Sequence, residues 1–230
     1  MRDARPACVT VLLAMITVGC AGFAVPATRY FKEYAFVEIQ ETHRAVPGQG
    51  TIRRWRREAP DEFEFAVLGP REVGQEGFRP GKVVETALGS LGEVAAELSA
   101  KTVVFTPAPD FAQNRQNRQA LRDFLKLAKK QFQVVVFDPG LEWDPEDADT
   151  LADETGTIAA RDALIHGASG RSIAYYRLPG PAGHKSRYED PAIERLAEIA
   201  HSASHEAAHY VFANVDMFAD AKRFKKAFGI

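Results

Sequence analysis

Apolar and polar positions along this chain alternate between two periods, one suited to strands and one to helices. Residues 16–20, Ile-Thr-Val-Gly-Cys, read as a strand, with Gly19 and Gly22 making the turn at its C-terminal end. Residues 28–34 suit a short helix and residues 35–40 a second strand. Residues 51–58 read as a helix with Thr51 as the expected N-cap. Residues 62–68 alternate strictly, as a strand does. Residues 71–82 contain Gly74, Gly77, Pro80 and Gly81 and read as a long loop.

The second half continues the pattern. Val84, Leu88, Leu91, Val94, Ala95 and Leu98 recur at helical spacing. Residues 102–106 form a β-branched run stopped by Pro107 and Pro109. Leu121, Phe124, Leu125, Ala128 and Phe132 mark an amphipathic helix, with polar residues 114–119 ahead of it. Residues 134–137 are wholly apolar, the signature of a strand buried on both faces. Then come an acidic short helix over 145–154, a weak strand over 157–160 and a strand over 173–178. Gly and Pro mark a loop over 180–187, followed by a helix around Ile193–Ala200, a strand over 210–213 and a last helix over 217–228.

About eight strands result, and only the stretch from Asp162 to Ser172 lacks a helix between its strands. The expected architecture is a single α/β domain, a TIM-like (β/α)8 barrel over residues 15–230, with the helix between strands 6 and 7 missing or reduced. A doubly wound open sheet is the alternative. Residues 1–14 are set aside as an N-terminal extension.

A length of 230 residues suits one such barrel and buries a full core without staples. Net charge is −2, from 29 Lys+Arg against 31 Asp+Glu, which gives no electrostatic case for nucleic-acid or acidic-membrane partners. Arg53, Arg54, Arg56 and Arg57 cluster locally, as on a solvated helix face. Cys8 and Cys20 do not make a disulfide framework.

Two readings compete at the N-terminus. A basic start, an apolar run over 7–18 and Gly19 before Cys20 have the outline of a lipoprotein signal, which would anchor the chain through Cys20. The same residues are the first barrel strand, and cleavage before Cys20 would delete it and leave unpaired edges on both neighbours. The strand reading is preferred, and with it a soluble cytoplasmic protein whose true start is Met15.

In a barrel of this kind the site lies at the C-terminal ends of the strands. Strand alternation turns Val37 and Ile39 outward and Glu38 and Gln40 inward, and likewise sends Val104 and Thr106, then Val134, Val136 and Asp138, toward the axis. Arg177 ends the seventh strand, Asp162 lies just beyond the sixth and Asn214 follows the eighth. With Cys20, these give an expected mouth of Cys20, Glu38, Gln40, Thr106, Asp138, Asp162, Arg177 and Asn214. Glu38 is the candidate acid/base and Arg177 the candidate anion clamp; the others are candidate ligand contacts. A buried Glu38–Arg177 pair that only satisfies the core is the bland reading of the same residues. His43 and His184 lie in loops within reach of the mouth.

Val18-Gly19-Cys20-Ala21-Gly22-Phe23, Phe36-Val37-Glu38-Ile39-Gln40-Glu41-Thr42, Trp55, Ala59-Pro60, Phe63-Glu64-Phe65, Tyr175-Tyr176-Arg177-Leu178 and Tyr210-Val211-Phe212-Ala213-Asn214 together resemble the domain-of-unknown-function 72 family, the YecE-like TIM-barrel proteins. The resemblance implies the barrel, and the family has no settled reaction. It also exposes departures. Gln40 stands where the family usually has Asn, Leu68 where it has Lys, and Gly74-Gln75 where it has Thr-His. Val136 and Asp138 take the places of a Glu and an Arg, and Pro179 that of a His. The resemblance therefore implies a divergent member that has lost several usual proton-transfer groups.

One motif points elsewhere. His205-Glu206-Ala207-Ala208-His209 matches the zinc-peptidase pattern, in which two histidines one helical turn apart hold Zn²⁺ and the Glu activates water. Here His209 runs straight into a strand pattern, which breaks the helix the motif needs. No cofactor is expected; zinc enters only through this alternative, with His205 and His209 as ligands and Glu206 as base. The function expected is a small-molecule site at the barrel mouth for an anionic or polar ligand, with a non-catalytic ligand-binding barrel as the other reading.

Overall fold

The structure, a computed structural model, describes residues 15–140 and 143–230. The candidate extension over 1–14, Cys8 included, lies outside the described residues. Eight parallel strands close in sequence order: β1 (Met15–Ala21), β2 (Phe36–Ile39), β3 (Glu64–Leu68), β4 (Thr102–Phe105), β5 (Val134–Phe137), β6 (Ile158–Arg161), β7 (Ile173–Leu178) and β8 (Ala207–Phe212). The closure is made by β1, which pairs with β8 from Met15↔Ala207 to Cys20↔Phe212 and with β2 at Cys20↔Val37. The first strand is thus an integral stave, and the open-sheet alternative is overturned.

Two apolar layers follow from the alternation of side chains along each strand. Ala21, Phe36, Ala66, Leu68, Val104, Val136, Ala160, Tyr175 and Val211 fill the tube. Val18, Cys20, Val37, Ile39, Phe65, Val67, Val103, Phe105, Val135 and Phe137 face outward, among them Val37 and Ile39 as the alternation requires. Helices cover that outer layer. α4 (Lys82–Leu98) buries Val84, Leu88, Leu91, Val94, Ala95 and Leu98, the stripe its spacing predicts. α5 (Arg115–Gln131) begins earlier than its apolar stripe does. Asn114 caps it by accepting from the Asn117 amide, so the polar run joins the helix. α6 (Pro145–Thr155) is capped by Asp144 and stopped by Gly156 at positive φ. α8 (Asp190–Ser202) and α9 (Met217–Phe228) complete the ring.

Three local expectations are corrected. α2 (Gln49–Glu58) starts two residues before Thr51, with Gly48 in the cap position. The stretch read as a loop over 71–82 contains a helix, α3 (Arg71–Gln75), with Gly74 inside it. A Cβ at Gly74 would stand 2.5 Å from the Thr106 carbonyl oxygen, so glycine here permits helix and loop backbones to touch rather than breaking the helix. β8 begins at Ala207, three residues before the apolar run that announces it, and so takes in His209. Between β6 and β7 stands a single turn, α7 (Ala163–His166), which fits the reduced element expected there. A short α1 (Ala27–Tyr30) and a 3₁₀ turn over Glu41–His43 complete the elements. No described helix is long and apolar enough to cross a membrane.

Closure also leaves β1 little room. A Cβ on Gly19 would lie 2.4 Å from the Phe36 carbonyl oxygen and 2.7 Å from its ring. Gly19→Ala is therefore expected to lower stability by about 1–3 kcal/mol, the usual range for overpacking. Urea unfolding followed by circular dichroism measures it, and an unchanged midpoint would show that β1 yields without strain.

Candidate functional site

Three side chains from two staves meet at the axis near the C-terminal ends of the strands. Glu38 on β2 and Tyr175 on β7 point inward by the parity of their strands, and Arg177, two residues beyond Tyr175, follows it on the same face. The Tyr175 hydroxyl donates to Glu38 Oε2 at 2.8 Å, and Arg177 Nη2 donates to Glu38 Oε1 at 3.0 Å. The other terminal nitrogen of Arg177 donates to Asp138 Oδ2 at 2.9 Å. Asp138 sits just past β5, where the Gly140 amide donates to its Oδ1 at 3.0 Å.

The three charges differ in depth. Glu38 is fully buried, the Arg177 side chain 14% exposed and that of Asp138 26% exposed. Burial alone would lower the pKa of Arg177, but the charges of Glu38 and then Asp138 outweigh it and hold the guanidinium above its ordinary value. Burial, and next the Glu38 charge, push the Tyr175 hydroxyl far above the usual phenol range, so it stays a donor. Both oxygens of Glu38 are thus taken by protein donors. The carboxylate that remains accessible is Asp138.

Above this network opens a cavity of about 520 Å³. Gln40, His43, Thr106, Asp138 and Arg177 line it together with Leu68, Phe111 and a proline-rich rim of Pro107, Pro109 and Pro139. His43 Nδ1 lies 2.9 Å from the Gly69 carbonyl oxygen, which only accepts, so Nδ1 carries the proton. Gln40, Thr106, Asp138 and Arg177 are therefore brought together as the strand alternation predicts. Glu38 lies beneath them and does not line the cavity.

Other predicted residues are placed elsewhere. Cys20 is turned to the outer layer, its Sγ 3.4 Å from the Met217 carbonyl oxygen, and burial pushes its thiol up to about 12. It is neither at the mouth nor a thiolate. The parity of β1 sends Gly19 and Ala21 inward instead. Asn214 likewise leaves the axis. It follows Ala213, which packs on the inner layer, and its amide nitrogen donates to Asp220 Oδ2 at 2.7 Å and to the Ser186 carbonyl at 3.2 Å. This residue clips the β8–α9 corner to the loop before α8. Asp162 accepts from the Leu164 amide at 2.9 Å as the cap of α7 and borders a smaller cavity beside Asp138, Trp143 and His166. Burial raises its pKa. His184 is an exposed loop residue.

The zinc-peptidase alternative loses its geometry. α8 ends at Ser202 and β8 begins at Ala207, so His205 and His209 do not share a helix. His205 Nδ1 bonds the Arg171 carbonyl at 2.7 Å and its Nε2 accepts from Tyr176 Oη at 2.8 Å. His209 lies at the opposite end of the tube from the mouth, 3.1 Å from Glu64 and stacked on Tyr175. No group of three or more His, Cys, Asp or Glu among the described residues could hold a metal ion.

Tyr175, Phe111 and the proline rim were not singled out from sequence. Tyr175 was legible, since the alternation that turns Arg177 inward turns it inward too. Phe111 carries no such signal, because its position depends on an irregular loop after Pro107 and Pro109.

A family model described as "Protein of unknown function DUF72" matches residues 27–230. Among solved structures, a DUF72 family protein from Enterococcus faecalis superposes with a TM-score of 0.76 at 15% identity, covering 95% of this chain and 99% of that one. A DUF72 family protein from Thermotoga maritima gives 0.73 at 17% identity, covering 94% and 100%. A xylose isomerase domain-containing protein from Salmonella typhimurium gives 0.60 at 11% identity, covering 92% and 96%. No curated protein matches the sequence.

Breaking a buried pair from one side strands its partner, which costs about 3–5 kcal/mol where both charges are dry. Glu38→Gln is expected to lower stability by about 3 kcal/mol or more, and Asp138→Asn by less than half of that, because water already reaches Asp138. Urea titration of both variants gives the order. Equal losses would show that the two carboxylates are equally buried in solution.

Proposed function

This chain belongs to the DUF72 family, whose reaction is unassigned, and on that premise we propose that its barrel mouth binds a small polar molecule through Asp138. The observation that carries this reading is the depth order of the network. Arg177 is braced from below by Glu38 and presents Asp138 to a cavity of about 520 Å³, large enough for a metabolite-sized ligand. Gln40, His43 and Thr106 add hydrogen-bonding groups around it, and Phe111 with the prolines supplies an apolar wall.

Of the two ligand classes read from sequence, anionic and polar, the polar one fits better. Arg177 has each terminal nitrogen on a carboxylate, so an incoming anion would have to displace Asp138. In this reading Glu38 is a positioning residue that holds Arg177, and the acid/base place belongs to Asp138. Its proton transfers would run through Oδ1 or Oδ2 to a ligand in the cavity. The xylose isomerase domain-containing barrel is a relative in fold alone, and supports no more than the use of this end of the tube.

A thermal-shift screen of polar metabolites tests the site. A true ligand stabilises the protein by about 2.7 kcal/mol at roughly 100-fold its Kd. That shift is expected to vanish in Asp138→Asn and to persist in Arg53→Ala, on the exposed face of α2. Equal shifts in all three proteins would place the ligand outside the mouth.

We further propose a cytoplasmic location, supported by the part Met15–Gly19 plays in closing the barrel against β8. Cell fractionation is expected to recover the chain in the soluble fraction. Recovery in the membrane, with Cys20 lipidated, would contradict it.

A further inference from the structure

We infer that the ligand of the mouth is a cation, a small molecule carrying an ammonium group. This rests on the reading above and narrows it to one chemical class.

The charge balance comes first. Arg177 is the one Lys or Arg among the described residues that line the cavity, and it is engaged by two carboxylates, Glu38 and Asp138. One positive charge against two negative leaves the network at net −1. The unbalanced charge sits on the side where water reaches, because Glu38 is sealed and Asp138 is not. A low-dielectric rim of Pro107, Pro109, Pro139 and Phe111 lets that charge act over a longer range than bulk water would.

The hydrogen-bond inventory points the same way. With Nδ1 donating to the Gly69 carbonyl, Nε2 is the ring atom His43 has left for a ligand, and in the neutral form of the ring it is an acceptor. Asp138 is an acceptor, and the Gln40 carbonyl and Thr106 hydroxyl can both accept. A site rich in acceptors around a carboxylate matches a group that only donates. An ammonium has three donors and no acceptor, whereas a carboxylate or phosphate has the reverse. Phe111 adds an aromatic ring to the lining. It is stacked on Trp143 at 6.0 Å between centroids and 5° between planes, which holds it in place.

Nuclear magnetic resonance titration tests the charge directly, with glucosamine, ethanolamine and putrescine as ammonium probes. Glucose and ethylene glycol are their neutral counterparts, and glucose 6-phosphate and acetate the anionic ones. The ammonium probes are expected to shift the Gln40 side-chain amide and the His43 ring signals, with the neutral counterparts at least tenfold weaker. Asp138→Asn is expected to weaken ammonium binding by roughly tenfold or more, the usual worth of a charge-assisted hydrogen bond. Because that variant also disturbs Arg177, Gln40→Lys provides a second reading, since it adds a cation to the lining without touching the buried pair. It is expected to abolish ammonium binding and to keep the fold, as judged by unchanged urea unfolding.

Four results would overturn the inference. Glucose binding as tightly as glucosamine, or anions binding preferentially and tightening in Gln40→Lys, would sink the cation while keeping the mouth as the site. No perturbation by any of the three ammonium probes would also sink it. Shifts that map away from Gln40 and His43, and survive both variants, would sink the site itself.

Discussion

Closing the sheet is the constraint on which everything else rests. Once β1 has paired with both β2 and β8, no stave has a free edge, and every strand must send alternate side chains into a tube of fixed width. A residue cannot choose its side independently of its neighbours. Glu38 goes in because Val37 and Ile39 go out, and Arg177 follows Tyr175 inward for the same reason. The polar network is thus less a local motif than a product of register on staves far apart in sequence.

Putting ions in such a tube is hazardous, because a carboxylate without partners in a dry interior is costly. The solution here is graded. Glu38, the deepest, has both oxygens matched by donors, Tyr175 and Arg177. The guanidinium spans the boundary, and Asp138 stands where water can share its solvation. The deeper half of this arrangement is sealed from water, and the shallower half faces the cavity. The bland reading of the Glu38–Arg177 pair, an ion pair that satisfies the core, describes the deep end of the network.

Strand parity made much of this legible in advance. It assigned Glu38, Gln40, Thr106, Asp138 and Arg177 to the inner face of a barrel, and it is where these residues lie. It failed where position in the sequence stood in for parity. Cys20 ends a strand, but its own neighbours Gly19 and Ala21 own the interior, and Asn214 sits one residue beyond an inward Ala213. Glycine misled differently. Gly74 was read as punctuation, although it is a point of backbone contact inside a helix, a distinction that depends on what lies opposite at Thr106. Whether a side chain is merely inside or actually reachable is not written in alternation at all, and that is why Glu38 rather than Asp138 drew the first assignment.

The lower end of the tube carries a consequence of its own. Phe36, Tyr175 and His209 pack ring against ring below the network, with Glu64 holding His209 in place. The barrel is therefore a cup with a floor, not a pipe. Whatever enters must leave by the same opening, so traffic is last in, first out.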